Sequence, residues 1–330
     1  MWKYVLWPLG AAFLGLARLK ALLYRRLLRR IRLPRPTISV GNLTFGGTGK
    51  TPVTIWLARE LQAAGVRPSV LLRGYGRATA GARLATSDSD PADVGEEAVL
   101  LARSLPGVVV AVGERREEAA ALAPEAGVFV LDDAFQHLRL ERDLDILVVD
   151  ASRPGDLHAP PVGRLREPLS AASRAHWVLV TRGPKEALPK GLLAPASRAL
   201  GVGLSWGDEP GPPGVFTTWS ELAGKPLVAF AGIGNPEFFF RQAREHGLAL
   251  AESVAWPDHA LPTRGRIGEL QAAVSRSAAV AVLCTAKDAV KWKALWRGSV
   301  PLVYPELRVD PEDPVAAFRQ DLLERAGAQR

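Results

Sequence analysis

Cysteine is almost absent from this 330-residue chain: Cys284 stands alone, which excludes an intrachain disulfide and any cysteine-based zinc cluster and suits a reducing compartment. It lies in the apolar run Ala278–Cys284, where the expected reading is a buried strand residue, not a catalytic thiol. Acid is missing from residues 1–36. That segment holds nine Lys and Arg residues, so it carries +9 of a net +8 and the remainder of the chain is about −1. Its apolar run, residues 1–17, falls short of the roughly 20 residues that span a bilayer. It also lacks a small-residue cleavage site, and its charge follows the apolar run instead of preceding it, which argues against a secretory signal. No aromatic-interleaved basic surface recurs elsewhere, which weighs against a nucleic-acid partner. There is no internal repeat and no long disordered tract.

What the tail does contain suits a membrane surface. Trp2, Tyr4, Trp7 and Tyr24 fit the interface, and the arginines from Arg18 through Arg29 to Arg35 fit an anionic cytoplasmic leaflet. The expectation is a membrane-anchoring helix over residues 1–36.

The segment Pro36-Thr-Ile-Ser-Val-Gly-Asn-Leu-Thr-Phe-Gly-Gly-Thr-Gly-Lys-Thr-Pro52 follows, a β-rich stretch feeding a glycine loop that opens an amphipathic helix. Thr44, Phe45, Gly46, Gly47, Thr48, Gly49, Lys50 and Thr51 form a phosphate-binding loop. Its glycines let backbone N–H groups close around phosphate oxygens. Lys50 can reach the β/γ-phosphates, and the Thr51 hydroxyl can ligate Mg²⁺ at a positive helix N-terminus. Thr44 stands where the usual spacing has glycine, so a strict pattern search misses the loop.

The length suggests about two domains. After a helix ending near Gly65, buried parallel strands are predicted at Ser69–Arg73, Val108–Val112, Val128–Leu131, Leu144–Val149 and Trp177–Val180, with helices such as Glu96–Ser104 and Glu114–Ala123 between them. The fold class is α/β, with a P-loop kinase domain over 37–205. A Gly/Pro-rich linker is expected over 206–225, and a smaller C-terminal α/β domain over 226–330. The latter has strands at Leu227–Phe230, Ala278–Leu283 and Pro301–Tyr304, and helices near Pro236–His246, Arg264–Ser275 and Pro314–Arg325.

The run Val128-Phe-Val-Leu-Asp-Asp133 delivers two carboxylates at the C-terminal end of a strand, where nucleotide sites of open α/β sheets lie. One of Asp132 and Asp133 is expected to hold Mg²⁺, the other to orient the nucleophile. Gln136 and His137 either enter the same cleft or stabilise the turn, and Asp150 either lines the crevice or caps. Arg73 and Arg77 flank glycines that allow a tight turn toward anionic groups. Glu96 and Glu97 begin a helix. Gly232-Ile-Gly234 has only half of a dinucleotide fingerprint. His259 beside Asp258 can tune proton transfer or serve the fold.

Taken together, the chain resembles the tetraacyldisaccharide 4'-kinases. The resemblance rests on Gly41-Asn-Leu-Thr-Phe-Gly-Gly-Thr-Gly-Lys-Thr-Pro52, Arg73-Gly-Tyr-Gly76, Asp132-Asp-Ala-Phe-Gln-His137, Gly163-Arg-Leu-Arg-Glu-Pro168, Ala231-Gly-Ile-Gly-Asn-Pro-Glu237, Asp258-His259 and Thr285-Ala-Lys-Asp-Ala-Val-Lys291, in that order. It implies an N-terminal membrane helix, a P-loop domain, and a smaller α/β domain with the active site between them. The implied reaction transfers the γ-phosphoryl of ATP to the 4'-hydroxyl of a tetraacylated glucosamine disaccharide 1-phosphate, on the cytoplasmic face of the inner membrane. Lys50 and Thr51 would then hold ATP and Mg²⁺, with Glu97 and Asp133 on the metal side. Glu96 would be the general base assisted by His259, with Asp132 shaping the site. Arg73, Arg116, Arg164 and Arg166 would meet the lipid 1-phosphate or the ATP phosphates. No obligate protein partner is implied.

The chain departs from the family pattern at Glu96, where the family has aspartate, at Ala134, where it has glycine, and at Leu157-His-Ala-Pro-Pro161. The alternatives are a membrane-recruited P-loop ATPase switch with no phosphorylated acceptor, and a soluble small-molecule kinase whose N-terminal helix dimerises.

Overall fold

A computed structural model describes residues 2–27, 30–189, 192, 198–312 and 315–328. Arg29, Pro314 and the side chains of Trp2, Tyr4 and Trp7, which figure in the sequence expectations, lie outside the described residues. The chain forms two compact units, one of Met1–Ser89, Asp93–Leu204 and Val309–Arg330, the other of Asp90–Ala92 and Ser205–Arg308.

The first unit opens with helix α1 (Trp2–Leu27) and strand β1 (Thr37–Gly41). Helix α2 (Lys50–Ala63), β2 (Pro68–Leu72), β3 (Arg83–Ala85), the second half of α3 (Pro91–Val94) and α4 (Glu96–Ser104) follow. Next come β4 (Val109–Val112), α5 (Arg116–Ala121), β5 (Val128–Leu131), β6 (Leu144–Asp150), β7 (Trp177–Thr181) and the first part of β8 (Arg198–Gly211). Its sheet runs β8-β7-β6-β1-β5-β2-β4-β3, parallel except for the short edge strand β3. Strands β1, β2, β5, β6 and β7 are buried at every residue, which is why they read as continuous apolar runs without alternation. Parallel strands put all their C-terminal ends on one edge. The phosphate loop, Arg73–Arg77, Gly113–Arg116, Asp132–Asp133, Asp150 and Thr181–Arg182 therefore share that edge.

The second unit contains the rest of β8, then β9 (Pro226–Ala231), α6 (Pro236–Glu245), β10 (Ala249–Ala255), α7 (Arg264–Ser277), β11 (Ala281–Leu283), α8 (Ala286–Trp292) and most of β12 (Leu302–Pro311). Strands β10-β9-β11-β12 are parallel. Ala278, expected within a strand, caps α7 in the left-handed region at φ 49°, so β11 starts three residues later. Cys284 is buried just after it.

Two boundary expectations are corrected. The first six residues of the 206–225 linker are strand, because Trp206 plants its ring among Trp219 and Phe239 and gives the glycine-rich stretch a core face. Residues 309–330, expected in the C-terminal domain, belong to the first unit. There Phe318 of α9 (Val315–Arg325) stacks on Trp56 at 5.2 Å and meets Trp177 edge-on at 5.1 Å, while Asp321 accepts from the Trp177 indole at 2.8 Å. Each such aromatic pair adds about 1 kcal/mol beyond its buried area.

Among the described residues, no helix is long and apolar enough to cross a membrane. Helix α1 has two faces. Gly10 is buried against Ala159 and Pro160, and Leu14 packs on the cluster around Leu157 and Leu165. The opposite face exposes Leu9, Phe13, Leu16, Leu19 and Leu23.

Candidate active site

The phosphate loop is gripped on both flanks by backbone. Thr44 forms a bridge with Leu165, Phe45 N–H donates to Arg164 O at 2.7 Å, and Arg166 N–H donates to Leu43 O at 2.7 Å. Gly46 and Gly49 have φ of 102° and 91°, a region closed to ordinary side chains. Gly41 is required for a different reason, since a Cβ there would lie 2.7 Å from Phe135 N where the chain after β5 crosses β1. Gln136 joins the same crossing by donating to Asn42 O at 2.7 Å, so of its two expected roles it supports the base of the loop.

Asp132 and Asp133 are neighbours in sequence and opposites in environment. Asp132 is 2% exposed, accepts from Thr54 Oγ1 at 3.0 Å, and is pushed up to about 7 by burial and by the charge of Glu97, with Lys50 pulling the other way. Asp133 adopts φ 49° and turns its carboxylate to Arg166, 3.0 Å away, and to Lys50, 3.6 Å away. Burial opposes its charge, yet Lys50 and Arg166 hold it below the usual carboxylate range. One group is thus able to carry a proton near neutrality while the other stays anionic. A testable consequence concerns the metal-free protein. Because the folded pKa of Asp132 exceeds its free value, the stability it contributes is present at acid pH and is lost as pH rises through about 7. In EDTA, Asp132→Asn is expected to flatten the fall in Tm between about pH 4 and 7, the interval from the free carboxyl value to the folded one, leaving the variant a few degrees more stable at the alkaline end. An unchanged slope by calorimetry would remove Asp132 from that role.

The turn after Asp133 is held by side chains that sequence reading overlooked. Arg142 donates to Ala134 O at 3.0 Å, and Arg174 donates to Phe135 O at 3.3 Å while pairing with buried Glu167 at 2.7 Å. Their signal was weak, because two arginines well outside the motif look like surface charge. His137 closes the turn through its N–H to Ala134 O, and burial with Arg116 and Arg142 nearby lowers it to about 4, so it is neutral at physiological pH.

The remaining first-unit candidates fall on the same strand edge. Glu96 and Glu97 begin α4 and are half-buried. Gly95 before them lies so close to the Arg73–Arg77 loop that an added Cβ would sit 3.2 Å from Tyr75 O. Arg73 is exposed, and Arg77 pairs with Glu114 at 3.1 Å. Arg116 is buried, donates to Gly113 O at 2.7 Å, and is lowered to about 10 by desolvation, against the pull of Asp132. Arg164 is half-buried beside Gly46, and Arg166 also lies over the Phe45 ring at 5.1 Å. Asp150 is both capped and paired: it accepts from Ser152 N–H at 2.9 Å and from Arg182 at 2.7 Å. Among the described residues, no cluster of three His, Cys, Asp or Glu side chains is arranged to hold a metal by itself. The donors available are one hydroxyl, Thr51, and carboxylates at Asp133 and Glu97. That set suits a hard cation that keeps waters and shares phosphate oxygens.

In the second unit, His259 has φ 61° and donates its N–H to Gly232 O at 3.0 Å. Its Nε2 lies 3.9 Å from Asp258, and both side chains are well exposed. Gly232 N–H donates to fully buried Asp288 at 3.1 Å, which also accepts from Thr285 Oγ1 at 2.7 Å and lies 3.6 Å from Lys291. The glycine permits this close approach.

Comparison with known proteins adds four findings. A family model described as Tetraacyldisaccharide-1-P 4'-kinase (LpxK) matches residues 2–326. Tetraacyldisaccharide 4'-kinase of Pelobacter propionicus is 41% identical over 336 residues, covering 96% of this chain and 92% of the relative. The one of Geobacter sulfurreducens is 42% identical over 320 residues, covering 92% and 88%. Among solved structures, LpxK from Aquifex aeolicus in complex with ATP superposes with a TM-score of 0.79 at 27% identity, covering 99% of each chain.

Proposed function

Because the chain belongs to the tetraacyldisaccharide-1-P 4'-kinase family, we propose that it transfers the γ-phosphoryl of ATP to the 4'-hydroxyl of a tetraacylated glucosamine disaccharide 1-phosphate. The observation that carries the reading is the pairing of a phosphate loop with two contrasting carboxylates on the adjoining strand: Lys50 reaches Asp133 while Asp132 stays buried behind it.

Phosphoryl transfer asks the protein mainly to position groups and offset charge. The N–H groups of Gly46–Thr51 and the Lys50 ammonium cradle the ATP phosphates. Thr51 and Asp133 would hold Mg²⁺, with Glu97 as a further carboxylate on the metal side. When bound, such an ion would supply positive charge to offset the negative charge that develops on the phosphates. Glu96 accepts the proton of the 4'-hydroxyl as its oxygen bonds to the γ-phosphorus, the bond to the β-phosphate oxygen breaks, and ADP leaves. His259 assists that proton transfer, and Asp132 shapes the site. Arg73, Arg116, Arg164 and Arg166 meet the lipid 1-phosphate or the ATP phosphates. Transfer of label from γ-labelled ATP to tetraacyldisaccharide 1-phosphate in detergent micelles tests the reading. ATP turnover without labelled lipid would replace it with an ATPase switch.

The acceptor is a lipid, so the enzyme works at the cytoplasmic face of the inner membrane. The exposed apolar face of α1 supports this: Leu9, Leu16 and Leu23 are exposed, on a segment rich in basic residues. Removing residues 1–24 is expected to move the protein from sedimenting anionic vesicles into the supernatant while leaving a folded core. Full retention on the vesicles would sink the anchor.

A further inference from the structure

A phosphate loop binds only if its N–H groups point inward, and in a trans peptide the carbonyl of one residue points opposite to the N–H of the next. Holding the carbonyls outward therefore aims the amides inward. In this chain three successive loop carbonyls face side-chain donors. Asn42 Nδ2 lies 3.4 Å from Gly46 O, Arg182 Nη1 donates to Gly47 O at 2.8 Å, and Thr181 Oγ1 donates to Thr48 O at 2.9 Å. The partner amides are those of Gly47, Thr48 and Gly49.

Two of these donors sit at the end of β7, which is two strands away from β1 and carries no phosphate-loop signature. Thr181 is fully buried, and its Cγ2 closes on Gly49 so that an added Cβ there would lie 3.4 Å away. Arg182 takes φ 58°, a left-handed conformation costly for a long side chain, and this turns its guanidinium back over the loop. The same Nη1 donates to Asp150 Oδ2 at 2.7 Å, and Ser152 Oγ donates to Asp150 Oδ1 at 2.6 Å, so the arginine is itself anchored.

We infer that Thr181 and Arg182, with Asp150 as the anchor of Arg182, are positioning residues for nucleotide binding that set the peptide planes of Gly47–Gly49. The inference rests on the kinase reading of the phosphate loop. It assigns these residues to nucleotide affinity and gives them no part in lipid recognition.

The test is calorimetric titration of Mg·ATP and Mg·ADP into the full chain in detergent micelles, alongside KM for each substrate. Thr181→Val keeps the shape and removes the donor, whereas Thr181→Ser keeps the donor. Thr181→Val is expected to weaken both nucleotides about tenfold and to raise KM for ATP alike. KM for the lipid should stay unchanged, and Thr181→Ser should restore binding to within about twofold. A structural role alone would lower Tm and disturb both substrates together. Arg182→Met, at a half-buried position, decides the same question if Thr181→Val fails to fold. Nucleotide affinity equal to wild type in these folded variants would overturn the inference alone. Wild type that binds no Mg·ATP would overturn the kinase reading and the inference with it.

Discussion

Lys50→Ala lowers kcat/KM for ATP by about a thousandfold, about 4 kcal/mol of transition-state stabilisation, in the labelled-phosphate assay. The size follows from the setting. Lys50 is the cation of the phosphate loop, its side chain is only 12% exposed, and it already faces a carboxylate across 3.6 Å, so water cannot replace the charge it brings to the phosphates. The fold should survive, because Asp133 retains Arg166 at 3.0 Å. A second signature separates this loss from misfolding. Lys50 is a counterweight to the burial and to the Glu97 charge that raise Asp132, so its removal should move the Asp132 titration further above 7 in the metal-free protein. Activity within tenfold of wild type would be too much for the proposed chemistry to survive (a loss under about 1.4 kcal/mol).

Glu96→Gln is expected to cut kcat by about 10² to 10⁴ with KM for ATP little changed, because it keeps size and hydrogen bonding while removing the proton acceptor. Glu96→Asp is the sharper experiment. It shortens the carboxylate by one methylene, about a bond length, and catalytic geometry is sensitive on that scale. If the surroundings of α4 have adjusted to glutamate, Glu96→Asp loses about tenfold. If they have not, it gains. Wild-type kcat in Glu96→Gln would assign the base elsewhere. His259→Ala tests the partner, and if the two residues act on one proton the double variant should lose little more than the worse single one.

Much of the first unit was legible in the sequence because parallel strands buried on both faces leave an unmistakable record, runs such as Val128–Leu131 and Leu144–Val149. The phosphate loop was legible for a related reason: glycines at 46, 47 and 49 and Lys50 answer to local backbone geometry, which neighbours in sequence determine. Local chemistry of this kind also announced the acidic pair after β5 and the kinase family. Failures came where distant segments decide. The glycine-rich stretch after Ser205 read as linker because propensity could not show that Trp206 has a core to enter. The last 22 residues or so were assigned with their sequence neighbours, although Phe318 finds its place between Trp56 and Trp177.

Chemistry divides along the same line. Sequence alone established that this chain carries a phosphate loop, an acidic strand end, an acid-free basic tail and the motifs of a lipid kinase family. Only the tertiary structure decided that Asp132 and Asp133 differ, since their contrast comes from Thr54, Glu97, Lys50 and Arg166, drawn from three other segments. It alone decided that Thr181 and Arg182 hold the loop's carbonyls from 133 and 135 residues away. A motif records what a short segment needs of itself, whereas charge and hydrogen-bond direction depend on whatever the fold brings alongside.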